Sequence, residues 1–118
     1  MDFKITRIFS DAKGETHFED LNIPLNNNGD IGFLSEAQKA NTVIFRKVTE
    51  TYDYNFHVSP SRQYVILLDG EIEVETSIGD KRIFQSGEIL LLEDITGKGH
   101  KTKNLQTHVR SSLFIELH

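Results

Sequence analysis

Residues 62–84, RQYVILLDGEIEVETSIGDKRIF, join an apolar run, YVILL, to a strictly alternating one, EIEVET, through Asp69-Gly70, and a second glycine-bearing point follows at Gly79. A period of two sends successive side chains to opposite faces, so the stretch reads as β-strands with one face buried. Asp69-Gly70 favours a two-residue type I′ hairpin turn, because both positions tolerate positive φ. That turn sets Leu67 opposite Ile72, Val65 opposite Val74 and Gln63 opposite Thr76 on the core side, with Glu71, Glu73 and Glu75 facing water. Gln63 thereby joins the buried face, where its amide needs a partner, a water or a ligand. A second tight turn at Gly79-Asp80 returns the chain along KRIF.

The rest of the chain follows the same pattern. FKITRIF near the start alternates, DAKG at 11–14 is a turn, and ETHFEDLNI follows as a strand. Residues 22–41 are polar and rich in Gly and Asn and read as a connecting loop with one short helical turn at 35–40. TVIFRKVT at 42–49 and YDYNFHV at 52–58 resume the β pattern. EILLLED is apolar on both faces and so covered on both. ITGKGHKTKN reads as a glycine-bearing loop, and VRSSLFIEL as the last strand. Many short strands with almost no helix define an all-β sandwich or barrel. The 118 residues fit a single domain, 1–118, with N-terminal strands and loop at 1–41 and the barrel core at 42–118.

Composition narrows the function. Thirteen Lys and Arg against 18 Asp and Glu give a net charge of -5, the wrong sign for a nucleic-acid surface. With no cysteine, disulfides, iron–sulfur clusters, thiolate zinc sites and thiol nucleophiles are excluded. The opening MDFKITRIFS lacks a signal-peptide core and no apolar run approaches a membrane span, so the expected location is the cytoplasm, without membrane or nucleic-acid partners.

Across residues 57–94 the spacing resembles the cupins, small jelly-roll barrels with the motifs G-x5-H-x-H-x(3,4)-E-x6-G and G-x5-P-x-G-x2-H-x3-N. The first motif places His57 at its first histidine, Ser59 at its second, Gln63 at the glutamate and Gly70 at its end. The second starts at Gly79, has Gln85 for the proline, keeps Gly87, and has Leu90 for the histidine and Asp94 for the asparagine. Three small stretches, GETHFED at 14–20, PSRQYV at 60–65 and EDITGKGH at 93–100, are similar to a group of small single-domain cupins. There Ile95 stands where that group has threonine. The resemblance implies a cupin jelly-roll β-barrel and a homodimer that covers its open sheet edges.

Serine, glutamine and leucine replace three of the four cupin metal ligands, so no cofactor is expected at that position. The candidate site is a barrel mouth built from His57, Gln63, Asp94 and His100. His57 would act as a base, with His100 as an acid oriented by Asp94, in a metal-independent isomerase or epimerase. Arg62 and His17 are candidate substrate contacts, although strand alternation points Arg62 outward toward a glutamate. Two alternatives stay open. A relocated His17/His57/His100 set could hold a divalent metal for an oxygenase or hydrolase, or the chain is a non-catalytic dimeric binding protein. His108 and His118 read as surface and terminal residues.

Overall fold

The computed structural model describes residues 1–117 of the chain, leaving His118 outside the described residues. Twelve strands follow in order: β1 (Asp2–Ser10), β2 (Thr16–Pro24), β3 (Asn26–Asn27), β4 (Phe33–Leu34), β5 (Thr42–Val48), β6 (Asp53–His57), β7 (Gln63–Leu67), β8 (Glu71–Thr76), β9 (Lys81–Gln85), β10 (Ile89–Glu93), β11 (His100–Asn104) and β12 (Arg110–Glu116). Six form one sheet in the order β2-β1-β10-β7-β12-β5; four form a second, β6-β11-β8-β9; β3 and β4 pair by themselves. The two larger sheets face each other as an all-β jelly roll, and their inner faces alternate as the sequence pattern requires. Ile8, Val65, Leu67, Ile72, Val74, Phe84, Leu90 and Leu92 form the layer trapped between them. Among the described residues no helix is long and apolar enough to cross a membrane.

One pairing departs from the sequence expectation. β7 and β8 are not a hairpin: β7 bonds to β10 and β12, and β8 to β9 and β11, in different sheets. A type I′ turn needs positive φ at both central positions, and only Gly70 has it, since no non-glycine residue does. The Asp69 carboxylate instead accepts the Ser111 N–H at 2.7 Å, and the Glu71 N–H donates to Gln106 at 2.8 Å. These bonds pull the chain across from one sheet to the other. The predicted facing survives the change, because the same side chains meet across the sandwich rather than along a ladder: Leu67 is 1 % exposed, Val74 1 % and Thr76 0 %.

The Gly79 turn forms as expected, joining β8 to β9 with Glu75 opposite Lys81. The turn at 11–14 joins β1 to β2, with the Gly14 N–H bonded to the Asp11 carbonyl at 3.0 Å. Two local readings change. The helical turn falls at Gly29–Ile31 rather than at 35–40, and HKTKN is strand β11 rather than loop. Its lysines sit on the outer face of the smaller sheet, where Lys103 lies 3.6 Å from Glu73. That leaves the alternate residues His100 and Thr102 buried inside.

β10 is buried on both sides, as its run of leucines implies. Leu90 and Leu92 join the inner layer, while Leu91 packs outward with Ile5, Leu21, Ile23, Tyr64, Ile89 and Ile115. β1 lies parallel to β10 and antiparallel to β2. Truncating Leu67 to Ala removes buried hydrocarbon from the inner layer and is expected to cost about 2–5 kcal/mol in chemical denaturation. Ile83→Ala, at a residue 55 % exposed, is expected to cost well under 1 kcal/mol, roughly the surface value.

Candidate functional site

The inner layer does not fill the whole space between the sheets. Toward the open side lies a cavity of about 460 Å³, within the range of small-molecule sites. Its floor is apolar: Val65, Ile72, Val74, Leu90, Leu92 and Phe114. Its polar wall is made by His57, His100, Gln63, Thr102, Arg46 and Glu116, with Tyr52 and Tyr54 beside them.

Two histidines come together because β6 and β11 pair with His57 opposite His100. This pairing depends on backbone approaching backbone. A Cβ at Gly99, φ 76°, would overlap the His57 carbonyl group, so only glycine fits there. Just before it, the Lys98 N–H donates to the Gly14 carbonyl at 2.9 Å, which fastens the loop to the β1–β2 turn. The GKGH stretch is therefore a clamp that sets His100 against His57. Their ring centroids are 4.7 Å apart, and the Tyr54 ring lies 3.9 Å from that of His57.

Each imidazole is held by its Nδ1. His57 Nδ1 lies 2.8 Å from the Asn55 carbonyl, and a carbonyl can only accept, so this nitrogen carries the proton. His100 Nδ1 lies 2.5 Å from Asp94, fully buried. A carboxylate in that position fixes the tautomer and the ring orientation. Neither Nε2 has a protein partner among the described residues. Asp94 itself follows β10, and its second oxygen is buried without a partner. Its backbone carbonyl accepts the Ser59 N–H at 3.0 Å, which ties the His57 segment to the same corner.

Gln63 is 4 % exposed and lines the cavity opposite Glu116 in the sheet register. Glu116 accepts from the Ser61 and Thr42 hydroxyls. Arg62 stands on the outer face, where its guanidinium binds Glu93, which also takes Arg7. Strand alternation is the reason, and Arg62 is not a cavity residue. His17 is likewise outside: its Nε2 lies 2.7 Å from Asp11, and its ring stacks on Phe9 at 5.5 Å. It sits on the outer, β2 edge of the larger sheet, so it does not converge with His57 and His100. Among the described residues no group of three or more His, Asp or Glu side chains is placed to hold a metal.

Arg46, Tyr52, Tyr54, Glu116 and Arg110 were not among the sequence candidates. For two of them a signal existed. Arg46 alternates with Ile44 on β5, and Arg110 with Ser112 and Phe114 on β12, so each places a charge in an inward row. Burial, and then the charge of Arg46, bring the Arg110 guanidinium down to about 10, still protonated at neutral pH.

A second hollow, about 520 Å³ and apolar, lies on the outer face of the larger sheet under the 33–38 segment. Phe3, Ile23, Phe33, Leu34, Tyr64 and Ile115 line it. It holds no histidine or arginine.

No protein-family model matches the chain, and no curated protein matches it. Among solved structures, protein NMB1881 from Neisseria meningitidis is similar at 19 % identity over 70 % of this chain and 84 % of that one, with a TM-score of 0.47. A protein described as a candidate ethanolamine utilization protein Q from Salmonella typhimurium LT2 is similar at 10 % identity over 99 % of this chain and 97 % of that one, with a TM-score of 0.44. Likenesses this distant carry nothing about ligand or chemistry, and the site stands on its own geometry.

Burial pushes the His57 imidazole below its usual value; the Asn55 carbonyl on Nδ1 pulls the other way, and the charges of His100 and Arg46 add to the lowering. The folded chain therefore takes up this proton less readily than the unfolded one. The stability from a neutral His57 is fully present above about pH 6.5 and is lost as pH falls through the lower folded value. Thermal melts of wild type and His57→Gln from roughly pH 7.5 to 5 should show a steeper loss for the wild type. Parallel curves would contradict the assignment.

Proposed function

We propose that this chain is a small cupin that binds a small polar metabolite between its sheets and moves a proton on it without a metal. One observation carries the reading: two neighbouring imidazoles in a cavity between the sheets, each with Nδ1 committed to a fixed acceptor and Nε2 left for a ligand. His57 favours its neutral form, which suits a base. On a 2-hydroxycarbonyl compound, its Nε2 takes the proton from the carbon beside the carbonyl. The electron pair of that C–H bond moves to the carbonyl, and protonated His100, stabilised by Asp94, gives its proton to the oxygen. The product is an enediol, and reversing the steps on the other carbon or face completes an isomerisation or epimerisation. Gln63 can hold a hydroxyl of such a ligand by accepting or donating. A relocated three-histidine metal site is disfavoured by His17, which lies outside the cavity bonded to Asp11.

The test is solvent exchange. Purified protein is incubated in deuterated water with a panel of small 2-hydroxyketones and sugars, and label at carbon is read by NMR. Wild type should exchange at least one compound, and His57→Ala or His100→Ala should exchange it about 10²–10⁴-fold more slowly. Exchange that survives both substitutions would end the proton-transfer reading. A homodimer belongs to the same proposal, with β5 as the joining edge: Phe45 is 82 % and Val43 54 % exposed there, on an edge strand with free backbone groups. Light scattering should give twice the chain mass, and Phe45→Glu should give a monomer.

A further inference from the structure

The chain has five arginines, and three of them, Arg7, Arg62 and Arg82, lie on the outside in ion pairs with Glu19, Glu93 or Asp20. The other two, Arg46 and Arg110, occupy the inner face of the larger sheet, and neither has an ion-pair partner among the described residues. In a chain with net charge -5, acidic partners are plentiful, so this arrangement is not for want of carboxylates.

The two arginines are diagonal neighbours. Arg46 is opposite Ser112 and Arg110 opposite Val48 on adjoining strands, and like charges so placed repel. Arg46 lines the cavity, gives its Nε proton to the Ser112 hydroxyl at 3.0 Å, and packs its guanidinium 4.4 Å from the Phe114 ring centre. Arg110 is 0 % exposed and donates Nε to Asn104 at 2.9 Å, yet both its Nη nitrogens are buried without a partner. The two guanidinium centres lie 5.6 and 5.7 Å from the same Tyr52 ring, which is itself part of the cavity wall. Asp69, whose charge reaches Arg110, accepts the Ser111 N–H rather than pairing with either guanidinium among the described residues.

A buried cation without a partner costs free energy unless something else compensates it. A guanidinium has five donors in a planar fork that matches two oxygens of one anion, and each of these two spends a single donor on the protein bond named above. What the pair lacks is an oxyanion.

We propose that the cavity recognises its ligand by a carboxylate or phosphate group seated on Arg46, with Arg110 behind Tyr52 raising the positive potential there. Arg46 and His57 line the same cavity, so the anionic group and the reacting carbon share one small space. Glu116 lies four positions from Arg46 along the paired strands, on the order of 13 Å away, and keeps a second anion from the far end. The ligand class is thus a small oxo- or hydroxy-acid or sugar phosphate with a single anionic group. This refines the proton-transfer reading by naming the substrate class, and rests on the same cavity.

The probes are sodium acetate, inorganic phosphate and, as a neutral control, glycerol, each titrated into the intact protein at low salt. Binding is followed by calorimetry and by the NMR titration of His57. Acetate or phosphate should bind saturably, weaken as chloride is added, and raise the His57 titration midpoint, because an anion beside it favours the imidazolium. The better of the two names the group. Arg46→Gln should weaken binding about tenfold or more and abolish the effect on His57; Arg46→Lys should fall between. Arg82→Gln, on the outer face, should bind as wild type does. Anion binding that is absent, or that Arg46→Gln leaves unchanged, overturns the proposal. A neutral compound exchanged in a His57-dependent but Arg46-independent way would sink this inference alone. Arg46-dependent anion binding with no His57-dependent exchange would leave it standing and remove the proton-transfer reading instead.

Discussion

The hydrocarbon layer between the two sheets is the feature on which everything else rests. It holds the sandwich closed at one side, where Ile8, Leu67, Phe84 and their neighbours interdigitate, and it runs out toward the other. Val65, Ile72, Val74, Leu90 and Leu92 serve both purposes, packed into the layer on one side and forming the cavity floor on the other. Burial of such side chains stabilises by roughly 1.5–3 kcal/mol each, enough to support polar groups in the adjoining space that contribute little by themselves. A cavity with a rigid apolar floor is what keeps the polar wall in one geometry.

That wall is assembled from separate parts of the chain. His57 comes from β6, His100 from the strand after the GKGH loop, Arg46 from the sheet edge and Gln63 from the middle of the larger sheet. Local backbone contacts do the assembling. Gly99 allows the close passage that pairs β6 with β11, and Asp94 reaches His100 with its side chain while bonding the Ser59 segment with its backbone. The outer pairs, such as Arg62 with Glu93 and Lys103 with Glu73, keep the remaining charges out of the cavity at little energetic gain. Against that background the two unpaired inner arginines are a departure from how the rest of the chain treats its charges.

Much of the architecture was legible because it depends on periodicity. The alternation in 62–84 identified the buried faces of β7 and β8, and the doubled apolar pattern of β10 showed that it was covered on both sides. Asp94 and His100 were recognisable as a pair from the strand alternation and the short glycine loop between them. The reading of Asp69-Gly70 as a hairpin failed for a definite reason. Turn propensity reports what two residues tolerate, whereas the side chains of Asp69 and Gln106, bonding to distant backbone, decided which way the chain went. Arg62 lies outside the cavity in the outward pairing with a glutamate that strand alternation pointed to, whereas His17 lies outside it because its strand, β2, forms the edge of the larger sheet, which no local pattern reports.

By itself, then, the sequence determined which residues alternate inward and that the protein is built of strands. Those are properties of single residues and their immediate spacing. Only the tertiary structure decided that β7 and β8 belong to opposite sheets, that His57 meets His100, and that Arg46 and Arg110 stand without acidic partners among the described residues. Each of these is a contact between segments far apart in the chain, fixed by the way two sheets close on one another, and no local pattern encodes it.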